Sequence, residues 1–485
     1  MVSVVIATLH HEGEPTVQTT IKTMNAILEQ QKAAFQKNPM PTLKERTEWL
    51  DAIIAMMLEY RPKILDALNT DFGTHPTLQG DFIEVFGMLA RAEYNKTKLD
   101  EWMQPSLRET DPSMHGESSA YVLRQPKGVI GNMSPWNFPF DLTIGPLCDM
   151  LAAGNRVMIK PSEISSACSE LLLEMINATF NEDHVAVVLG DLDVAKAFPA
   201  LPFDHLLYTG NPGVARQVAA AAAPNLTPLT LELGGKSPTV FTPGGVTAAN
   251  VADCLRIKMI KNGQMCVSPD YALVPRADLE NFVSLAKAFI SKEAPDYVAG
   301  DDITGIINDR HYARIESILD DARTRESQIE QLTGESDAAA RRMALSLVVN
   351  PSEDSLVMTE EIFGPIMAVV PYDSLDEGIA YINARERPLG LYVYGSDKAL
   401  CDEVINRTSS GGVTVNGAAL HASLPGMGFG GTGNSGYGRH HGIEGFMEFT
   451  NPRGIMNVDP AAMAIEIAPP YGETAKAIHQ SMIEG

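Results

Sequence analysis

Cys266 and Glu232 are two side chains of this sequence whose types and surroundings are suited to covalent chemistry. Cys266 ends the segment 262–266 (Asn-Gly-Gln-Met-Cys), and Glu232 lies within 231–235 (Leu-Glu-Leu-Gly-Gly). A thiol nucleophile attacks electrophilic carbon, and a carboxylate base takes a proton from water. Beside a dinucleotide site, the two would form a working set for oxidation through a covalent thioester.

Each residue also has an ordinary structural interpretation. A lone cysteine is usually a small, buried apolar residue. A carboxylate is usually solvated, although the apolar residues and glycines around Glu232 are an unusual setting for one. The choice between the catalytic and the structural interpretation therefore depends on the elements that would position the two residues.

A possible phosphate-binding turn lies at 208–213 (Tyr-Thr-Gly-Asn-Pro-Gly), between a predicted strand at 204–208 and a predicted helix at 214–223. A glycine turn that leads into a helix presents free backbone N–H groups to a pyrophosphate. An ordinary strand-to-helix turn gives the same pattern, so both interpretations stay open at this point.

Two other matches to nucleotide motifs fail on their context. Gly426-x-Gly428-x-x-Gly431 lies in a glycine-dense stretch without a following helix, which favours a flexible turn. The segment 235–237 (Gly-Lys-Ser) resembles the end of a P-loop, but Thr230 stands where that motif requires glycine.

The order of elements predicts an α/β protein with two α/β domains. The first hundred residues read as helices, one of them starting at a capping pair, Thr42 and Glu45. From Ser118 onwards, short runs of Val, Ile and Leu alternate with amphipathic helices, which is typical of a parallel sheet with crossover helices. A second alternating series follows Leu231, with strands predicted at 237–241, 271–274, 366–370, 393–395 and 413–416.

Composition disfavours several classes of partner. The 485 residues carry a net charge of −24, and such a surface repels phosphate backbones and anionic lipids. The five cysteines form no C-x-x-C pair and the histidines show no metal spacing, so we predict free thiols, a reducing compartment and no metal. The first residues lack a basic region followed by an apolar stretch, and no apolar run approaches the roughly 20 residues of a membrane span. We therefore expect a soluble, cytoplasmic protein.

Five multi-residue motifs in order resemble those of the aldehyde dehydrogenase superfamily, over nearly the whole chain from about Thr42 to Asn451. They are 135–139 (Pro-Trp-Asn-Phe-Pro), 160–163 (Lys-Pro-Ser-Glu), 231–238 (Leu-Glu-Leu-Gly-Gly-Lys-Ser-Pro), 262–266 and 360–365 (Glu-Glu-Ile-Phe-Gly-Pro). Segments 267–271 and 430–436 resemble the class 3 branch of the family, and 421–429 resembles its coniferyl aldehyde dehydrogenases.

The resemblance implies an aldehyde dehydrogenase-like fold. It implies a Rossmann-like NAD(P)-binding domain at 1–115 and 127–234, an α/β catalytic domain at 235–424, and a β-arm for oligomerisation at 116–126 and 449–457. Residues 458–485 are predicted to form a surface tail or a partner-contacting arm. We expect a homodimer or homotetramer.

The resemblance also implies roles for individual residues. Cys266 would attack the aldehyde, the Asn137 amide and the Cys266 N–H would stabilise the oxyanion, and Glu232 would activate water to hydrolyse the thioester. The cofactor-binding residues implied are Ser134, Pro135, Trp136, Lys160, Ser162, Glu163, Gly210, Asn211, Gly213, Leu233, Gly234, Glu361 and Phe363. NAD is the expected cofactor, because the Glu163 carboxylate would repel the 2′-phosphate of NADP. NADP is not excluded, because Lys160 could partly offset that repulsion.

The expected substrate is an aromatic aldehyde such as coniferyl aldehyde, or a medium-chain aldehyde. The predicted pocket residues are Phe138, Met265, Val267 and His421, which would give a largely apolar tunnel. The alternatives are a broad-range aldehyde scavenger, a thiol esterase that uses the same residues, and a catalytically silent binding or structural protein of the same fold.

Overall fold

A computed structural model of the chain describes residues 6–8 and 16–484. The start of the predicted 1–115 segment, including most of the N-terminal stretch considered as a signal, and Gly485 at the end of the tail lie outside the described residues.

The helices precede, connect and flank the strands. In chain order they are α1 (Ile21–Lys37), α2 (Leu43–Phe72), α3 (Thr77–Gln79), α4 (Phe86–Trp102), α5 (Pro112–His115), α6 (Asp141–Ala152), α7 (Ser166–Thr179), α8 (Leu192–Ala197), α9 (Pro212–Ala222), α10 (Ala248–Met259), α11 (Leu279–Glu293), α12 (Asp309–Thr324), α13 (Leu356–Thr359), α14 (Leu375–Asn383), α15 (Lys398–Arg407), α16 (Gly442–Glu448) and α17 (Glu473–Glu484).

The described strands form three larger sheets and one antiparallel pair, β1 with β2. In chain order they are β1 (Ile6–Thr8), β2 (Thr16–Gln18), β3 (Ser106–Arg108), β4 (Ser119–Pro126), β5 (Val129–Met133), β6 (Arg156–Lys160), β7 (Val185–Val187), β8 (His205–Gly210), β9 (Leu229–Leu233), β10 (Ser237–Phe241), β11 (Pro269–Pro275), β12 (Gln328–Gln331), β13 (Ser346–Val349), β14 (Ile366–Tyr372), β15 (Gly390–Tyr394), β16 (Gly412–Val415), β17 (Gly436–Tyr437) and β18 (Thr450–Asn457).

The first large sheet has the order β17-β9-β8-β5-β6-β7 and is parallel except for β17. The chain runs outward from β5 to β7, then returns to the other side of β5 to form β8 and β9. The order therefore reverses between β5 and β8, and the carboxyl ends of neighbouring strands open a crevice at such a switch point. All five residues of β5 are buried, as expected for a sheet covered on both faces.

The second sheet has the order β12-β13-β14-β11-β10-β15-β16, and only its edge strand β12 runs antiparallel among the described strands. It contains all five strands predicted after Leu231, with ends that shift by up to three residues. The α/β class with parallel sheets is thus confirmed.

The third sheet, β18-β4-β3, joins distant parts of the chain. β18 pairs antiparallel with β4, from Thr450 opposite Pro126 to Asn457 opposite Ser119. β18 is an edge strand with mostly exposed residues, so one row of its backbone groups lies open to pairing.

The helical N-terminal part departs from the predicted pattern in one place. The predicted start at Thr42 is confirmed, because Thr42 Oγ1 accepts from the Glu45 N–H and Glu45 accepts from the Thr42 N–H. Before α4 the chain forms not an α-helix but a π-helical turn, Gly80–Val85, which runs directly into α4. A π-turn has the same amphipathic appearance as an α-helix in sequence but inserts one extra residue, and such turns are frequent at functional sites.

Within the part of the chain that the structure describes, none of the helices combines the length and apolar character needed to cross a membrane.

Candidate active site

A cleft of about 650 Å³ opens where β5, β8 and β9 end, between the two parallel sheets. Its walls carry Cys266, Asn137 and Glu232 together. These residues lie far apart in sequence: Asn137 follows β5 and Glu232 lies near the end of β9, both beside the switch point, whereas Cys266 comes from the loop that precedes β11 of the second sheet.

Cys266 lies in the loop between α10 and β11. It is partly exposed, whereas the other four cysteines are buried. The loop is fixed by the buried Gln264 side chain, whose Nε2 donates to the Gly305 carbonyl at 3.0 Å and whose Oε1 accepts from the Ile307 N–H at 3.0 Å. Burial raises the pKa of the Cys266 thiol above its ordinary value, and the carboxylates of Glu361 and Glu232 raise it further.

Asn137 lies in the connection from β5 to α6 and is 3% exposed. Its Nδ2 donates to the Gln264 carbonyl at 3.1 Å, so the amide is tied to the loop that carries Cys266. A side-chain amide has two N–H donors, and this bond uses one of them.

Glu232 lies on β9, one residue before its end, and is 2% exposed. Neither carboxylate oxygen has a hydrogen-bond partner among the described residues. Burial raises the pKa of Glu232 well above its ordinary value, although the nearby Arg439 acts in the opposite direction. Glycine is needed at Gly430, because a Cβ there would collide with the Gly438 carbonyl oxygen and lie 2.9 Å from Glu232 Oε1.

Most of the predicted cofactor residues line the same cleft: Pro135, Trp136, Gly210, Asn211, Gly213, Leu233, Gly234, Glu361 and Phe363. Asn211 caps α9, with its Oδ1 accepting from the Gly213 N–H at 2.6 Å. The helix end therefore offers its amides to Asn211, and a bound phosphate would have to share or replace this cap.

The remaining four predicted cofactor residues do not line that cleft. Lys160 ends β6 and is 3% exposed, and its Nζ donates to the Pro161 carbonyl at 2.8 Å and to Glu163 at 3.2 Å. Burial lowers the pKa of Lys160. Ser162 Oγ accepts from the Ile164 N–H at 3.3 Å, and Ser134 Oγ accepts from the Thr143 hydroxyl. Ser134 thus faces α6 through its side chain.

The cleft fits a dinucleotide on three observations. It lies at the switch point and ends at a glycine turn before α9. The ring centroids of Trp136 and Phe363 lie 5.4 Å apart, and both rings line the cleft together with Cys266. They offer aromatic surface against which a flat ring can pack. Glu361 Oε1 is buried and has no hydrogen-bond partner within the described part of the chain, burial raises the pKa of that carboxyl to about 8, and a Cβ at Gly234 would collide with it. A ribose hydroxyl is the kind of donor that this carboxylate lacks.

A second cavity, of about 230 Å³, lies on the other side of Cys266. Its walls are mostly apolar and include the predicted residues Phe138, Met265 and Val267, with Phe82, Ile83, Leu142, Ile257, Ile260, Leu420 and Phe429 beside them.

The prediction that His421 lines this pocket is wrong. Its ring stacks behind Phe429, with centroids 6.4 Å apart, and its Nδ1 lies 2.9 Å from Thr414 Oγ1. The cavity wall contains its neighbours Leu420 and Ala422 instead. His421 belongs to a single turn of 3-10 helix, Leu420–Ser423, which points this side chain inward.

Sequence reasoning missed several residues that line the two cavities: Arg91, Asp141, His311, Arg314, Arg385, Arg387, Asn434 and His441. Most lie outside the quoted motifs, and their positions follow from long-range packing. The sequence pattern assigns His441 no role in the pocket. Among the described residues no group of three or more His, Cys, Asp or Glu side chains could hold a metal ion.

The aldehyde dehydrogenase family model matches residues 10–455 of the chain. A protein of Caulobacter vibrioides named "Probable coniferyl aldehyde dehydrogenase" is 41% identical over 459 residues, covering 93% of this chain and 94% of the relative. The "Coniferyl aldehyde dehydrogenase" of Pseudomonas sp. strain HR199 is 38% identical and covers 94% and 95%. AldH of Staphylococcus aureus, solved in a substrate-bound state, is 31% identical, covers 95% of this chain and 99% of its own, and superposes with a TM-score of 0.88.

The similarity extends over almost the whole length of each relative, so it includes both large sheets and the cleft between them. The chain belongs to the aldehyde dehydrogenase family, and it is an oxidoreductase that oxidises aldehydes with NAD(P).

Proposed function

We propose that the enzyme oxidises an aromatic aldehyde of the coniferyl type to the carboxylic acid through a thioester on Cys266. The observation that carries the proposal is the position of Cys266, which lines both the cofactor cleft and the apolar cavity. A group at this boundary can hold a substrate carbonyl between the cofactor on one side and the substrate's apolar part on the other.

In the first step Cys266 Sγ releases its proton to solvent, and the thiolate bonds the aldehyde carbon. The carbonyl oxygen becomes an oxyanion, which accepts hydrogen bonds from the second N–H of Asn137 Nδ2 and from the Cys266 backbone N–H. The bond from Asn137 to the Gln264 carbonyl keeps the amide beside the thiol during this change.

When bound, NAD(P) would supply the acceptor for the hydride that the tetrahedral carbon loses, so that the oxyanion re-forms its C=O bond and a thioester remains on Cys266. Pro135, Trp136 and Phe363 would hold its nicotinamide end, Glu361 its ribose, and the Gly210 turn its pyrophosphate. Lys160, Ser162 and Glu163 would face the adenosine ribose. The carboxylate of Glu163 favours NAD, and the Lys160 ammonium 3.2 Å away leaves NADP acceptable.

Glu232 then completes the reaction by taking a proton from water, which attacks the thioester carbon and releases the acid from Cys266 Sγ. Its two carboxylate oxygens have no protein partner among the described residues, so water is the group available to them.

The substrate class rests on the cavity walls and on the relatives. Phe138 and Phe429 give aromatic faces to a space of about 230 Å³, which suits a single substituted ring on a short chain. The names of the two curated relatives agree with this class.

A panel of aldehydes tests the proposal. NAD(P)H formation is followed with coniferyl aldehyde, benzaldehyde, hexanal and acetaldehyde, each with NAD and with NADP. We expect the highest kcat/KM for coniferyl aldehyde, by about tenfold or more over hexanal. Equal values across the panel would contradict the aromatic class and favour a broad-range scavenger.

We also propose that two copies assemble through β18, whose open edge can pair with another sheet. The division into a cofactor domain (1–115 and 127–234), a catalytic domain (235–424), an arm (116–126 and 449–457) and a tail (458–485) is part of the same proposal. So is a cytoplasmic location, because five free cysteines fit a reducing compartment.

A further inference from the structure

A buried ion pair joins the two chain segments that carry Asn137 and Cys266. Lys261, five residues before Cys266, places its Nζ 3.0 Å from Glu84 Oε1. Both side chains are fully buried. Glu84 belongs to the π-helical turn Gly80–Val85, which interrupts the α-helical pattern at this point.

The other carboxylate oxygen of Glu84 holds the start of α6. Glu84 Oε2 accepts from the Phe140 N–H at 3.0 Å and from the Asp141 N–H at 2.9 Å. The residue at the cap position is Phe140, whose side chain cannot accept a hydrogen bond. Glu84 therefore supplies from another element the cap that α6 lacks, three residues after Asn137.

Lys261 is held at several points besides Glu84. Its N–H donates to Gln79 Oε1 at 3.0 Å, and its Nζ lies over the rings of Phe72 and Phe138, 4.3 and 4.9 Å from their centroids. Its φ is +50°, in the left-handed region that non-glycine residues seldom adopt. Such a conformation persists only where the surroundings determine it, as these contacts do.

Stability alone is a poor explanation for this pair. Removing two charges from water costs several kcal/mol per ion, and an apolar pair of similar volume is often as stable. The pair does fix the distance between the Asn137 segment and the Cys266 loop. The Glu84 carboxylate contacts the first through two backbone amides and the second through the Lys261 ammonium.

We propose that Glu84 and Lys261 form a clamp that sets the position of the Asn137 amide relative to the Cys266 thiol. Glu84 is then a positioning residue, since it touches neither substrate nor cofactor cavity. The proposal rests on the catalytic roles proposed above for Asn137 and Cys266. It also gives the π-turn a role, because Glu84 lies in the turn, Gln79 directly precedes it, and both reach Lys261.

Three variants of the full-length enzyme test the clamp: Glu84→Gln, Lys261→Gln and the double variant. Each single change leaves one buried charge without its counter-ion: the Lys261 ammonium in Glu84→Gln and the Glu84 carboxylate in Lys261→Gln. In the double variant the carboxamide at position 84 can still cap α6 through its carbonyl oxygen. Its NH2 group can donate to the carbonyl oxygen of the carboxamide at position 261, which restores the link without charge. Asp71→Asn is the matched control, because Asp71 also reaches across to cap a helix, α7, through the Ala167 and Cys168 N–H groups, but contacts neither catalytic segment.

Two readouts are measured. We expect each single variant to lose about 10- to 100-fold in kcat, with the dissociation constant for NAD within about twofold of wild type, and the double variant to recover most of the loss. Hydrogen–deuterium exchange should rise about fivefold or more in peptides that cover both 137–141 and 261–266 in the single variants. Asp71→Asn should lower the melting temperature but leave both kcat and the exchange of these peptides as in wild type.

Single variants with wild-type kcat, or a double variant no faster than the slower single one, would overturn the clamp. If Glu84→Gln does not fold, Lys261→Gln against the double variant gives the same comparison. A wild-type enzyme without turnover would contradict the proposed function instead, and the exchange measurement would then decide the clamp alone.

Discussion

The Cys266 thiol and the Glu232 carboxyl line one cleft, and their surroundings favour the neutral form of each. Burial and then the carboxylates of Glu361 and Glu232 raise the pKa of the thiol, and burial raises the pKa of Glu232. Both groups react as anions. The ionised forms must therefore be reached during the catalytic cycle, and the pH dependence of the rate should show it.

Replacement of Asn137 tests the oxyanion contact. Asn137→Ala removes one of two proposed donors, and we expect kcat/KM for the aldehyde to fall by about 10²- to 10³-fold. Steady-state kinetics measure the effect. Asn132→Ala, another buried asparagine that lines neither cavity, controls for folding. Equal losses in the two variants would argue against the oxyanion role.

The pH profile of kcat tests the base role of Glu232. A general base works only when ionised, so kcat should be low below its pKa and rise as pH passes through it. Because burial raises that pKa above the ordinary 4.5, the rising limb should lie at higher pH than for a solvated glutamate. Glu232→Gln should lower kcat by about 10²-fold or more, remove this limb, and give a burst of NAD(P)H followed by slow turnover. An unchanged limb in the variant would assign the titration to another group.

The ratio of NADP to NAD use tests the role of Glu163. Glu163→Gln removes the negative charge that would repel a 2′-phosphate and leaves the ammonium of Lys160 in place. We expect the NADP/NAD ratio of kcat/KM to rise by about tenfold or more. Glu170→Gln, an exposed change on α7, should leave the ratio unaltered. If both variants behave like wild type, the adenosine ribose binds elsewhere.

A charge on the open edge of β18 tests whether two copies assemble through this strand. Met456→Glu puts two like charges near each other if β18 contacts a second copy, and we expect the protein to shift towards monomer in analytical ultracentrifugation. Leu226→Glu, at a side chain that is 88% exposed and away from this sheet, should not change the mass. A wild-type mass equal to that of one chain would remove the proposed dimer directly.

The sequence was informative where short motifs carry the geometry. The turn at Gly210, the strand that ends at Leu233 and the loop before Cys266 each combine a glycine with a chemically active neighbour, and these local patterns survive folding unchanged. The register of the parallel strands then brings the Gly210 turn and the end of β9 to one edge of the first sheet, and the Cys266 loop of the second sheet lines the same cleft.

The sequence was uninformative where contacts are long-range. Nothing near Glu84 or Lys261 indicates that they meet, because they are 177 positions apart and each alone looks like a solvated charge. The error at His421 has a similar cause, since one turn of 3-10 helix decides which side chain faces the pocket.

The mass of the enzyme during turnover tests directly whether a thioester forms on Cys266. Glu232→Gln is mixed with coniferyl aldehyde and NAD, quenched in acid and examined by intact-mass and peptide mass spectrometry. We predict an adduct equal to the aldehyde minus one hydride and one proton, located on Cys266 and absent from Glu232→Gln/Cys266→Ala. NADH formation without any adduct, or an adduct on another residue, would contradict a thioester on Cys266.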